Sequence, residues 1–292
     1  MEWLLSPFEV SFVQRALYAG VLVSVMCAVV GTWVVLRGLA FLGDAMSHGM
    51  LPGIAVASLL GGPLVLGAAV AAVVMAAGLR MLTARGSLTH DTGVGLLFVG
   101  MLSVGVVIVS RSQSFAVDLT GYLFGDVLGV TTGDLTVLTA STTVAVLVAT
   151  ALHRPFVALA FDVRVAHGLG MRPALAGTVM LLLMALAMVA SFRVVGTLLV
   201  FGMLLGPPAA AAVWTRRIGS TMALAALLGA AATVVGLLVS WHARTAAGAT
   251  IACLAVGTYF ASAVVAALVR RHGPLAPRVA IDAPTPVRTE IS

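Results

Sequence analysis

Residues Leu39–Pro52 read LAFLGDAMSHGMLP, an apolar stretch that carries a carboxylate at Asp44 and an imidazole at His48. The chain holds ten acidic residues, and the other nine lie in polar segments or at the ends of apolar ones. Only Asp44 stands inside an apolar run. An ionisable group in that setting is costly, which points to a functional site facing a protein interior or a water-filled path. In a helix, the four-residue spacing sets both side chains on one face, about 5–6 Å apart at Cβ. A carboxylate oxygen and an imidazole nitrogen then converge, which is the start of a divalent-metal site. A buried Asp–His hydrogen bond that only ties helices together is the plainer reading of these two residues taken alone.

Outward from this stretch, 61% apolar and 9% charged residues over 292 positions take the chain out of the soluble globular class. A helix needs about 20 apolar residues to cross a bilayer. Nine such segments follow one another: Ala16–Leu36, Leu39–Leu60, Pro63–Leu82, Thr92–Ser110, Leu135–Leu152, Ala174–Ala190, Val194–Trp214, Met222–Ser240 and Ala249–Val269. They are continuously apolar rather than alternating, which argues against a transmembrane barrel. The expected fold is all-α, a polytopic helical membrane protein with eight or nine transmembrane helices. One membrane domain covers residues 1–271, and a proline-rich tail at 272–292 is expected to be disordered. The open count comes from Val194–Trp214. There Pro207 and Pro208 remove two backbone donors and are expected to break the helix or make it re-entrant.

The net charge of +6 comes from sixteen arginines without a single lysine. A P-loop needs its lysine, so the chain is not its own ATPase of that kind. The arginines stand singly or in pairs at segment ends, an arrangement that does not suit nucleic acid. With nine spans, one side collects Arg37, Arg80, Arg85, Arg154, Arg164, Arg172, Arg216, Arg217, Arg270, Arg271, Arg278 and Arg288. The other collects Arg15, Arg111, Arg193 and Arg244. This bias places the C-terminus in the cytoplasm and the N-terminus outside. Met1–Glu9 lacks a basic region, so no cleavable signal peptide is expected. Cys27 and Cys253 read as small packing residues, as does the stripe Met180, Met184 and Met188. His90, His153, His167, His242 and His272 fall in connections or near span ends and read as solvated or interfacial. The connection HRPFVALAFDVRVAHGLGMRP (His153–Pro173) spaces Phe156, Leu159, Phe161, Val165 and Leu169 like a short amphipathic helix, on the membrane surface or docked to a partner.

Several blocks stand in an order that resembles one family. They are VVLRGLAFLGDAMSHGMLPGIA (Val34–Ala55), DTGVGLLF (Asp91–Phe98), LTGYLFGDVLGV (Leu119–Val130), AFDVRVAHGLGM (Ala160–Met171) and VVGTLLVFGMLLGPPAAAA (Val194–Ala212), followed by GATI at Gly248–Ile251. The chain is similar to the permease subunits of zinc, manganese and iron ABC importers over about Ala16–Ala267. It departs from their pattern at His90, where an acidic residue is common, at the doubled Pro207-Pro208, and at Ala247, where a proline is common.

The resemblance implies a homodimeric pore in the bacterial cytoplasmic membrane, with lipid around it. Two cytoplasmic ABC ATPase subunits supply ATP hydrolysis, and an extracellular metal-binding protein delivers the ion. No cofactor is held permanently; the cargo is a divalent ion, zinc or manganese first and iron next. Asp44 and His48 correspond to the metal-contacting positions, and two protomers could complete the shell across a two-fold axis. Phe161, Asp162, Gly168 and Gly170 map onto the segment that couples to the ATPase. Pro52, Pro207 and Pro208 are the candidate helix breaks or gates. Pro52 would leave the His48 carbonyl without its usual donor, free for water or an ion. Gly49 and Gly53 form a small-xxx-small pair inviting close approach of another helix. The alternatives are an ABC permease for chelated metal, a self-contained secondary metal transporter and, more remotely, an intramembrane aspartyl protease. For the last, LGD at Leu42–Asp44 and FGD at Phe124–Asp126 lack the GxGD spacing.

Overall fold

In lipid every backbone polar group must be satisfied within its own segment, so long apolar runs become helices. The computed structural model describes residues 6–84, 89–110, 125–161 and 172–272, and these are helical apart from short connections. After a 3-10 turn at Ser6–Glu9 come α1 (Ser11–Leu36), α2 (Ala40–Gly49), α3 (Leu51–Leu59), α4 (Leu64–Ala84) and α5 (His90–Ser110). They are followed by α6 (Thr132–Ala151), α7 (His153–Phe161), α8 (Pro173–Phe192), α9 (Val194–Trp214), α10 (Ile218–Ala243) and α11 (Ala247–His272). Eight of these are long and apolar enough to cross a membrane: α1, α4, α5, α6, α8, α9, α10 and α11. The short helices α2 and α3 form a further segment in two pieces over residues 40–59. The second expected span is thus two short helices that meet at Met50, neither of them long enough to cross a membrane by itself.

Pro52 accounts for that break. It has no N–H to give the His48 carbonyl, so the ladder fails one turn before the proline. Met50 nonetheless keeps helical dihedrals (φ −78, ψ −17), and the axis continues into α3. The proline pair behaves differently from its sequence expectation. Pro207 and Pro208 lie inside a helix that keeps helical dihedrals around them. Neighbouring helices make such prolines tolerable in membrane spans.

The real interruption of Pro173–Trp214 is Gly196, at φ 73, ψ 162, a conformation essentially confined to glycine. The chain folds back there. A Cβ on Gly43 would lie 3.0 Å from Met184 and 3.4 Å from Leu204. Twenty residues of straight helix would separate those two by about 30 Å, so α8 and α9 are an antiparallel pair. Gly125 closes on this turn so tightly that a Cβ would overlap the Val195–Gly196 peptide.

Helix α1 is the centre of the bundle, packed by α8, α9, α10 and α6. Trp33 is buried in it, edge-on to Phe156 of α7 (5.4 Å) and His153 (5.6 Å). Phe156 and Leu159 are therefore the inward face of the expected amphipathic helix, docked on the protein's own bundle. Gly53 lies on the backbone of Gly67 in α4, and Gly49 on Met75, so the small-xxx-small pair does admit a neighbouring helix.

Candidate functional site: a half-exposed Asp–His pair on a broken helix

The helix α2 buries one face and leaves the other partly open. Leu42, Gly43, Ala45, Met46, Ser47 and Gly49 are buried. Beneath them lie Met184 and Met188, themselves buried, and Ser47 Oγ donates to the Met188 thioether at 3.6 Å. The methionine stripe is bedding for α2, the adaptable packing that thioethers provide.

Asp44 and His48 occupy the open face, on the same side one turn apart. Asp44 Oδ1 and His48 Nε2 are 3.7 Å apart, with the side chains 40% and 32% exposed, respectively. That separation exceeds a hydrogen bond, so the pair is not the internal Asp–His tie that the residues alone left open. Two donors each about 2.1 Å from a metal at a tetrahedral angle stand about 3.4 Å apart, so a small closure lets one ion take both. The His48 ring is held edge-on by Phe98 of α5 (5.8 Å), and Phe98 in turn meets Phe41 (6.2 Å). These rings screen one flank of the pair and fix the imidazole; nothing in the sequence pattern alone joined Phe98 to His48.

Among the described residues no three His, Cys, Asp or Glu side chains gather into a metal cluster. One copy of the chain thus offers two side-chain donors at this point. Elsewhere the sequence candidates separate. Pro52 lies one turn beyond His48, while Pro208 packs from α9 against Gly31 of α1, with Pro207 beside it in the chain. Phe161 ends α7, and Asp162, Gly168 and Gly170 fall outside the described residues. At one end of the bundle Arg37, Arg80 and His90 line a common cavity with the start of α8. Burial lowers the Arg37 pKa from its ordinary value.

Among the described residues, eight helices long enough to cross a membrane stand beside a two-piece segment that carries an Asp–His pair, an architecture that fits a membrane transport protein. Residues 9–266 match the ABC 3 transport family, and the chain belongs to it. The manganese transport system membrane protein MntC of Halalkalibacterium halodurans is 33% identical over 253 residues, covering 87% of this chain and 86% of that one. The chelated iron transport system membrane protein YfeD of Yersinia pestis is 34% identical over 242 residues, 83% of this chain and 81% of that one. Among solved structures, PsaBC from Streptococcus pneumoniae in complex with Fab superposes with a TM-score of 0.79 at 28% identity, covering 89% of this chain and 94% of that one. The chain is thus a multi-pass membrane protein of an ABC transport family, the membrane subunit rather than the ATPase. The secondary-transporter and protease readings fall with that membership.

Proposed function

We propose that this chain forms half of a two-fold pore through which a bare divalent ion passes, with Asp44 and His48 of each copy as its ligands. The observation that carries this reading is the exposure of the pair. An ionisable pair within the first half of an apolar segment does not face hydrocarbon, so an open face at Asp44 and His48 calls for water or a second protein surface. A second copy brings two more donors to the axis and completes a four-donor shell. A carboxylate with an imidazole accepts manganese, zinc or iron(II). Chelated metal is the second reading, favoured by the name of the Yersinia pestis relative. It needs no direct protein ligands to the ion, so the Asp44–His48 pair favours the bare ion.

The energy comes from cytoplasmic ATPase subunits that dock at residues 161–170, next to α7. An external binding protein loads the opposite end. The arginine-rich end, with the C-terminus, faces the cytoplasm of the bacterial inner membrane. The test is metal-limited growth and radioactive manganese uptake in cells lacking their own importer, complemented with this permease and its ATPase. Asp44→Ala and His48→Ala should each abolish uptake while the complex still assembles. Uptake by either variant at the unmutated rate overturns the assignment.

A further inference from the structure

The arginine-lined cavity is not used by the transport path proposed above. Its volume is about 660 Å³, within the range of small-ligand sites. It lies where the end of α1, the ends of α4 and α7, and the starts of α5 and α8 meet. Arg37, Arg80, His90 and Thr83 line it, and no carboxylate of the described residues does; Asp91, the next residue of α5, is not on its wall. Arg80 Nη1 donates to the Ala174 carbonyl and to Thr178 Oγ1, which aims the guanidinium along the first turn of α8. Arg37 Nη1 has the Met180 thioether at 3.7 Å, a weak acceptor for a charged donor. Two cations beside two helix N-termini make a site short of negative charge. Leu39 and Leu181 add apolar wall beside the cations.

We infer that this cavity binds a phosphate group, and that the phosphate is the headgroup of an anionic phospholipid. Guanidinium groups pair with phosphate oxygens through charge-assisted bonds. Basic pockets between membrane helices are the places where acidic headgroups settle. The mixed wall suits a lipid, whose glycerol and upper chains follow the phosphate, better than a free anion. Occupancy has a consequence for the importer. Arg37 is separated from α2 by Gly38 and Leu39 only, and Arg80 is tied to α8. A bound phosphate bridges the helix that carries Asp44 and His48 to the helix that follows the proposed coupling segment. The binding claim itself does not depend on which ion is carried.

The experiment uses the assembled permease–ATPase complex, purified with equal phosphatidylglycerol and phosphatidylethanolamine and read by native mass spectrometry. The wild-type complex should retain phosphatidylglycerol preferentially. Arg37→Gln should weaken that retention about fivefold, Arg37→Lys should keep most of it, and Arg216→Gln should leave it unchanged. If Arg37→Gln does not assemble, His90→Gln, at the exposed rim, should reduce the preference in the same direction. Thermal unfolding with inorganic phosphate alone separates the sources. A stabilisation by free phosphate that vanishes in Arg37→Gln, without lipid preference, refutes the lipid and assigns a soluble phosphate. Equal retention of both lipids with no phosphate effect overturns the site, as does an assembled Arg37→Gln complex that binds phosphatidylglycerol like wild type.

Discussion

Replacing Gly196 by alanine should damage this fold more than the same change at an open helical glycine such as Gly95. Gly196 sits at φ 73, ψ 162, where an L side chain costs about 1–3 kcal/mol. The turn has no slack to relax into, because Gly125 lies against the Val195–Gly196 peptide on the other side. Gly95 is the matched control. It is the sixth residue of α5, has no heavy atom within 4 Å of a built Cβ, and takes no positive φ. Alanine there gains up to about 1 kcal/mol of helix propensity. The two variants should therefore differ by about 1–4 kcal/mol. Denaturant titration of the purified permease in mild detergent measures the gap. Gly125→Ala should also destabilise, and the double variant Gly125→Ala/Gly196→Ala should fall short of the sum, since both report one contact. A Gly196→Ala protein as stable as Gly95→Ala would refute the hairpin that sets Phe201 and Leu204 against Gly43 of α2.

Other expectations follow from the same packing. Phe98→Ala removes the ring that orients His48, a pairing worth about 0.5–1.5 kcal/mol, so half-saturating metal in uptake should rise about two- to twelvefold. An unchanged half-saturation would show that the imidazole is positioned by something else. Cys253 is exposed on α11 and Cys27 is buried in α1. In detergent, N-ethylmaleimide should label the protein once; Cys253→Ser should abolish labelling and Cys27→Ser should not. A reporter fused after Ser292 should be active as a fluorescent protein and inactive as alkaline phosphatase; the reverse would invert the proposed orientation.

The span pattern was legible because lipid leaves the backbone few options: each long apolar run became a helix, and the arginine-bearing ends of α1, α4 and α8 meet around one cavity. The juxtaposition of Asp44 and His48 was legible too, since a four-residue spacing puts both side chains on one face of a helix. What failed was the location of the interruption in Val194–Trp214. Proline is a local signal, and sequence reading gave it to Pro207-Pro208, but packing on α1 lets the helix run through them. The true reversal belongs to Gly196, one of 31 glycines and unmarked until Gly125 from a distant segment closes on it. Phe98 was missed at the site for a similar reason. It lies 50 residues from His48, and only the packing of α2 against α5 brings the rings to 5.8 Å. His90 read as an interfacial histidine, and it does line a cavity at the bundle's end. The cavity's pairing of Arg37 with Arg80 is tertiary and left no trace in either segment.

The central claim is that two copies of α2 share one ion. Electron paramagnetic resonance of manganese(II) titrated into the purified permease tests it directly, because bound and free ion give distinct spectra. One ion per two chains is predicted, with binding lost in both Asp44→Asn and His48→Gln. Tight binding that survives both substitutions, or one ion per chain, would contradict it.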